Sequence, residues 1–137
     1  MSHYSVVKSK ITRKGTLIKA LQTIDNGRWA NCVEVHDVAD NLVGYQGDKR
    51  KDKANIIIRR KNVGGSSNDI GFVLAEDGTY QAVISDYDST RHNSAWLDKL
   101  NQTYAVETVK EIATDMGYAM ESRSEGGEIY ITCTGEF

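Results

Sequence analysis

The sequence predicts an α+β domain in which two main helices pack on one face of an antiparallel sheet. The first observation is that two segments carry apolar residues at helical spacing. The second is that short β-branched segments separated by turn residues lie between them, which is typical of an antiparallel meander. The third is composition, because 39% of the 137 residues are hydrophobic and none is proline. Such a chain is expected to form one compact domain over residues 1–137.

The N-terminal part is predicted to form an edge strand and the first helix. Residues 5–11 mix β-branched and polar residues, which favours a short strand at the edge of a sheet. Thr16 belongs to a residue type that caps helices, and Asn26-Gly27 is a stop signal. The apolar residues between these signals recur at i, i+3, i+4 and i+7, namely Leu17, Ala20, Leu21 and Ile24.

The middle of the chain is predicted to form the meander. The predicted strands are residues 30–35, with a weaker extension to Val43 and Tyr45, then residues 54–60, 69–75 and 79–86. Three consecutive isoleucines at 56–58 favour the second of these strands. Residues 62–68 have low helix and strand propensity and predict a loop. The turn residues Glu76-Asp77-Gly78 predict that the last two strands pair as a hairpin.

The C-terminal part is predicted to form the longest helix and a second hairpin. Ser94 is a plausible N-cap and Gly117 a C-terminal signal. The apolar stripe between them contains Leu97, Leu100, Tyr104, Ala105, Val109, Ile112, Ala113 and Met116. Residues 118–123 and 129–134 flank a turn at 125–128, which predicts the hairpin. The element order indicates a ferredoxin-like variant with a split β-α-β unit.

The net charge of −2 conceals a strong asymmetry along the chain. Residues 1–61 contain 13 basic and 6 acidic side chains, a balance of +7, whereas residues 62–137 contain 4 and 13, a balance of −9. A long polyanion would meet both signs on one small surface, so nucleic acid is an unlikely partner. A short anionic ligand needs only local charge complementarity.

Cysteine, histidine and acidic residues give no recognisable metal site. Cys32 and Cys133 lie in apolar strand-like segments, which predicts buried thiols. The three histidines share no metal-ligand spacing. Asp86-x-Asp88-x-Thr90 begins like a calcium loop but lacks its glycine and its final glutamate. The sequence therefore predicts neither a metal nor a cofactor.

One segment contains the residue types of a hydrolase. Residues 85–93 include two serines, two aspartates and His92, but no Gly-x-Ser-x-Gly motif presents a nucleophile. Hydrolytic chemistry is therefore disfavoured. One alternative stays open, a phosphodiesterase in which His92 moves a proton and Arg91 stabilises the charge of the phosphorane.

A loop and its flanking cations predict an anion site. Gly64-Gly65-Ser66-Ser67 is not a P-loop, because no Gly-Lys-Ser/Thr follows it, but it offers backbone N–H groups beside cations. The alternative is a flexible loop flanked by solvated charges. Aromatic residues that could stack on a base lie near this basic centre and at the start of the long helix. The expected ligand contacts are Arg59, Arg60, Lys61, Tyr87, Arg91, His92 and Trp96.

Short motifs occur in a characteristic order along nearly the whole chain. They are Met1-Ser2-His3-Tyr4, Gly44-Tyr45-Gln46-Gly47, Ile58-Arg59-Arg60, Asp69-Ile70-Gly71-Phe72, Gly78-Thr79-Tyr80, Asp86-Tyr87-Asp88, Gln102-Thr103-Tyr104-Ala105 and Gly117-Tyr118. In this order they resemble a small domain of unknown function that is encoded in plastid genomes as a hypothetical open reading frame, in cyanobacteria and in many bacteriophages. Departures at residues 64–67, residues 89–93 and the C-terminal strand resemble a phage-type member.

The resemblance implies a fold but no chemistry, because the domain has no established enzymatic activity. Some phage proteins of this size and type resemble anti-CBASS sponges, which hold cyclic nucleotide immune signals without cleaving them. We therefore expect a non-catalytic binding protein that sequesters such a signal, for example a cyclic dinucleotide such as cyclic GMP-AMP. The alternative is a protein-interaction module without a small-molecule ligand.

Two further expectations concern assembly and location. Opposite charges in the two halves of the chain, and the near two-fold symmetry of a cyclic ligand, favour a homo-oligomer, either a dimer or a tetramer. No apolar segment approaches the ~20 residues that span a bilayer, and the N-terminus does not resemble a signal peptide. We expect a cytoplasmic protein, in the host cell if it is viral, without membrane contact.

Overall fold

The computed structural model describes residues 3–126 and 128–135. Its helices are α1 (Lys14–Gly27), α2 (Arg60–Val63) and α3 (Ser94–Asp115), and a 3₁₀ turn covers Asp88–Thr90. Its strands are β1 (Tyr4–Val7), β2 (Val33–Val43), β3 (Lys49–Ile58), β4 (Ile70–Leu74), β5 (Tyr80–Ser85), β6 (Tyr118–Glu125) and β7 (Glu128–Gly135). The predicted α+β class is confirmed.

The five strands β1 to β5 form one sheet in the order β1-β5-β4-β3-β2, and every neighbouring pair is antiparallel. Four antiparallel steps leave the edge strands β1 and β2 parallel to each other. Helix α1 joins them, so the chain forms a β-α-β unit that is split by the three central strands. The predicted hairpin β4–β5 is confirmed, with Gly78 at its turn at φ +85°.

The main core lies between the sheet and the two long helices. Alternate residues of β3, β4 and β5 point to this side, namely Ile56, Ile58, Ile70, Phe72, Ala82 and Ile84. Leu17 and Leu21 of α1 and Leu100 of α3 cover them, and all three are almost fully buried. Both long helices therefore pack on one face of the sheet, as predicted.

A second, smaller core covers the opposite face. The pairing of β2 with β3 is interrupted between Val35 and Asp40, and the hairpin beyond this break turns back over the sheet. Its residues Leu42 and Ala54 pack on Ile57 and Val83. Gly71 lies beneath them, and a Cβ there would approach the Ala54 Cβ to 2.5 Å. The long β2 replaces the strand and weaker extension predicted by sequence.

The helix ends differ in detail from the predictions. Thr16 lies inside α1 rather than at its N-cap, and its hydroxyl donates to Glu111 of α3 at 2.7 Å. The N-cap of α3 is Asn93 rather than Ser94, and its side chain accepts from the amide of Trp96. Gly117 with positive φ follows the end of α3, whereas the helical geometry of α1 already breaks at Ile24, and Asp25, Asn26 and Gly27 all adopt positive φ.

The C-terminal half of α3 departs most from its predicted burial. Val109, Ile112 and Met116 are exposed, although they belong to the apolar stripe. Strands β6 and β7 pair only with each other among the described residues, and β6 contacts α3. Gly127 of their turn lies outside the described residues.

Two further predictions concern the thiols and membrane contact. The Cys32 side chain is half-buried rather than buried, because β2 lies at the sheet edge, so the prediction of a buried thiol there is wrong. The side chain of Cys133 lies outside what the structure describes. Within the described ranges, no helix has the length and apolar character needed to cross a membrane.

Candidate functional site

The seven predicted ligand contacts fall into three places. Tyr87, Arg91 and His92 line a pocket of about 360 Å³ together with residues 63–67, Asp88 and Thr90. We call this the glycine–serine pocket. Arg59, Arg60 and Lys61 line a separate cavity. Trp96 is buried beneath His92, so the two predicted halves of the site, basic and aromatic, do not form one surface.

One rim of the glycine–serine pocket is the loop that follows α2. The Ser67 amide donates to the Gly64 carbonyl at 3.2 Å, which closes a tight turn with Gly65 and Ser66 at its centre. The loop needs Gly64 for close packing, because a Cβ there would lie 2.8 Å from the Ser67 Oγ. The predicted loop therefore has a defined shape.

The opposite rim is the 3₁₀ turn, and a buried carboxylate joins the two rims. The Oδ2 atom of Asp88 accepts from the backbone amide of Asn68 and from the Ser85 hydroxyl, both at 2.9 Å. The Asn68 side chain donates to the Ser85 Oγ at 2.9 Å. All three side chains are buried, so this network fixes the distance between the loop and the 3₁₀ turn.

His92 forms one wall of the pocket and is packed against two tryptophans. Its ring stacks on Trp29 with centroids 5.6 Å apart and meets the edge of Trp96 at 4.8 Å. Burial lowers the pKa of His92, and this outweighs the opposing effect of Asp88. The imidazole is therefore neutral at pH 7. Its Nδ1 atom is enclosed and has no hydrogen-bond partner among the described residues.

Trp96 is fixed in this wall by a hydrogen bond at its polar end. Its indole N–H donates to the Asp25 carboxylate at 3.0 Å, and Lys99 donates to the same carboxylate at 2.6 Å. Only 7% of Trp96 is exposed. The residue supports His92 instead of offering its own face to a ligand.

Several groups of the glycine–serine pocket have no partner among the described residues or are exposed, so they are available to a ligand. Arg91 is exposed and makes no ion pair or hydrogen bond through its side chain within the described ranges. The backbone amides of Gly65 and Ser66 likewise have no partner among the residues described. The Tyr87 ring is 53% exposed. An unpaired guanidinium, two backbone donors and an aromatic face therefore meet in one concave site.

Arg59 differs from Arg91, because acceptors of the same protein already bind its hydrogen-bond donors. Its guanidinium donates to Glu34 at 2.7 and 2.9 Å and to Asp40 and Asp69 at 2.9 Å each. A fifth bond, of 3.2 Å, reaches the carbonyl of Asn41. A guanidinium has five N–H donors, so all of them are engaged. Sequence reasoning selected Arg59 as a phosphate contact, but the structure places it in an ion-pair network.

The cavity that Arg59 lines is larger and more open than the glycine–serine pocket. Its volume is about 580 Å³, and Asp40 and Asp69 lie in it beside Lys49 and Lys61. Two exposed lysines and the half-buried Arg60, which also donates to two loop carbonyls, remain as its cations beside the engaged Arg59. The two cavities differ in that the glycine–serine pocket offers an arginine with no side-chain partner among the described residues, whereas the guanidinium of Arg59 is fully engaged.

Metal and triad chemistry find little support in the geometry. Among the residues that the structure describes, no three histidine, cysteine or acidic side chains are grouped to hold a metal ion. Ser85 donates to Asp88, but Ser85 is fully buried and that hydrogen bond serves the network beneath the pocket. Within the part of the chain that the structure describes, this hydrogen bond is not the arrangement of an exposed nucleophile with its base.

Sequence reasoning missed Asn68 and Trp29 as parts of this region. Asn68 ends the glycine–serine loop, and Trp29 follows the Gly27 stop signal. The sequence pattern therefore indicated only connecting segments at both positions. Their contacts link residues 17 to 63 positions apart in the chain, as in the bond between Asn68 and Ser85 and the stacking of Trp29 on His92. No local pattern carries such a signal.

The chain matches one protein family. The family is described as protein of unknown function (DUF1257), and the match covers residues 32–132, about three quarters of the chain. The chain therefore belongs to the DUF1257 family, and the whole glycine–serine pocket lies within the matched range. No curated protein and no solved structure matches the sequence.

Proposed function

We propose that this member of the DUF1257 family is a non-catalytic binding protein that sequesters a small phosphorylated ligand in the glycine–serine pocket. The ligand class we propose is a cyclic nucleotide immune signal such as cyclic GMP-AMP, held as by a phage anti-defence sponge. One observation carries the proposal: the unpaired Arg91, the backbone amides of Gly65 and Ser66 and the exposed ring of Tyr87 line the same pocket.

These groups match the two chemical parts of a nucleotide. A base stacked on an aromatic ring contributes roughly 1–3 kcal/mol, and a charge-assisted hydrogen bond to phosphate roughly 1.5–3 kcal/mol. Tyr87 supplies the first and Arg91 the second, with the loop amides adding further bonds. After the cost of association, such a set supports micromolar or tighter binding.

The environment of His92 favours holding a ligand over cleaving it. A general base must exchange a proton with the substrate, but this imidazole lies between two tryptophans with 5% of its surface exposed. Packing of this kind supports the shape of the pocket.

The size of the pocket bears on assembly. A volume of about 360 Å³ lies near the lower end of the ~300–1,000 Å³ range of small-molecule sites. It suits one nucleotide unit better than a whole cyclic dinucleotide. A two-fold dimer would offer one pocket to each half of such a ligand, which agrees with the expected homo-oligomer.

Titration calorimetry against cyclic di- and trinucleotides tests the proposal. We expect saturable heat with at least one of them, and roughly tenfold or greater weakening in Arg91→Gln and in Tyr87→Ala, as the loss of one contact predicts. Lys61→Met is the matched control, because Lys61 is exposed but lines the other cavity. It should bind as the unmodified protein does.

Two outcomes would contradict the proposal. Absence of heat at high protein concentration with every nucleotide would exclude the ligand class, and a protein partner retained equally by Arg91→Gln would then support the interaction-module alternative. Mass spectrometry of the ligand released by heating the complex distinguishes binding from cleavage. Intact ligand supports a sponge, whereas a linearised product would show a phosphodiesterase.

A further inference from the structure

We propose that Arg60 is a positioning residue of the glycine–serine pocket, which holds the loop from behind so that the Ser66 amide points at the ligand phosphate. This inference rests on the proposed function for its ligand. It assigns to Arg60 a role different from the direct contact expected from sequence, because Arg60 lines the other cavity.

Arg60 holds the loop through hydrogen bonds to two of its carbonyls. Its Nε donates to the Ser67 carbonyl and its Nη2 to the Gly65 carbonyl, each at 3.2 Å. The residue is itself anchored, since its backbone amide donates to the fully buried Asp69 carboxylate at 2.7 Å. The guanidinium is therefore a fixed point against which the loop is held.

The geometry of the peptide unit then determines where the amides point. In a trans peptide the C=O and the following N–H point in opposite directions, and the described residues contain no cis peptide bond. The carbonyl of Ser67 points at Arg60, and the amide of Asn68 on the same peptide unit donates to Asp88 at 2.9 Å. Asp88 lines the glycine–serine pocket. The direction away from Arg60 is therefore the direction of the pocket.

The same geometry applies to the peptide unit two positions earlier, between Gly65 and Ser66. The Gly65 carbonyl also points at Arg60, so the amide of Ser66 points away from Arg60 and towards the pocket. That amide has no partner among the described residues. Arg60 binds the negative ends of two peptide dipoles on the far side of the loop and leaves the positive end of one of them for a ligand. A donor of this kind selects an acceptor-only group such as a phosphate oxygen.

Amide NMR spectra of the full ¹⁵N-labelled chain, titrated with inorganic phosphate, test this role. We expect the Ser66 resonance to shift with saturation, and the dissociation constant to rise roughly tenfold in both Arg60→Lys and Arg60→Met, as loss of one hydrogen bond predicts. Lysine keeps the charge but lacks the fork that reaches two carbonyls. Lys61→Met, which removes a neighbouring exposed cation, should change the constant less than twofold.

Full rescue of phosphate binding by Arg60→Lys would overturn the inference, because charge alone would then suffice. It would also be overturned if phosphate binds without moving the Ser66 resonance, or does not bind to the unmodified protein. Thermal unfolding of each variant shows whether it is folded at the assay temperature, and Arg60→Lys carries the test if Arg60→Met is not. A shifted Ser66 resonance with no cyclic nucleotide binding would contradict the proposed function and leave the role of Arg60 supported.

Discussion

Arg59 and Arg91 present the same guanidinium in two opposite states. Arg59 donates five hydrogen bonds and faces three carboxylates, those of Glu34, Asp40 and Asp69. Arg91 is exposed and has no side-chain partner within the described residues. The first arginine is part of the fold and the second is available to a ligand. A cation therefore indicates a binding site only when its donors are unoccupied.

The position of each arginine explains the difference. Arg59 follows the end of β3, and two acidic residues of the paired strand β2, Glu34 and Asp40, reach it from either side of the break in that pairing. Asp69 at the start of β4 completes the ring and also accepts from the Val43 amide at 2.8 Å. The network thus ties the second core to the main sheet, whereas Arg91 lies beyond the 3₁₀ turn at the surface.

Replacing Arg59 should give the largest effect. Arg59→Met leaves the fully buried Asp69 without its ion-pair partner, and we expect a loss of about 3 kcal/mol in the free energy of unfolding. Urea denaturation followed by circular dichroism measures it. Arg91→Met is the matched control and should stay within about 0.5 kcal/mol of the unmodified protein. Equal losses in the two variants would erase the distinction between the arginines.

Two glycine substitutions test how tightly the loop of the glycine–serine pocket is packed. Gly64→Ala places a Cβ 2.8 Å from the Ser67 Oγ, and the required shift should cost about 1 kcal/mol. Gly65→Ala meets nothing within 4 Å and should be close to neutral in unfolding experiments. If both variants unfold at the same urea concentration, the loop is looser than its contacts indicate.

Acid should affect the two regions in different pH ranges. We expect these effects on stability to be smaller than those of the Arg59 and glycine substitutions. The pKa of His92 is lowered in the fold by burial, so the unfolded chain takes up the proton first and stability declines as pH falls below about 6.5. The hydrogen bonds from Arg59 hold the pKa of Glu34 below its ordinary value of 4.5. The stability that this lowered pKa contributes is complete above pH 4.5 and is lost as the pH falls through the pKa of Glu34 in the folded state.

Single substitutions separate these contributions. His92→Asn should flatten the stability profile below pH 6.5, and Glu34→Gln should flatten it only below pH 4.5. Unfolding midpoints at a series of pH values provide the measurement. A single transition that neither variant alters would show that other carboxylates dominate acid unfolding.

Local patterns predicted the elements that local interactions form. The apolar spacing of α1, the turn at Gly78 and the glycine end of α3 depend on residues within a few positions of one another. The fold of the β2–β3 hairpin over the sheet does not, because it depends on Gly71 admitting Ala54 and Leu42. The exposure of Ile112 was also not predicted, since an apolar stripe does not show where its covering partner ends.

The candidate site shows the same division. The glycine–serine loop and the segment with Tyr87, Arg91 and His92 were both selected from the sequence, and the structure brings them into one pocket. Arg59 was selected for its charge, but the acids that occupy it lie 10 to 25 positions away in the chain. Its state is decided by tertiary pairing, which no run of basic residues shows.

The carboxylate of Asp88 has a consequence for binding kinetics. Because it holds the loop and the 3₁₀ turn together before any ligand arrives, little chain ordering is left for the moment of binding. Association is then limited by encounter rather than by rearrangement, and differences in affinity between ligands appear as differences in dissociation rate. For the proposed ligand, this preformed pocket predicts rapid capture and a retention time that is set by the lifetime of each complex.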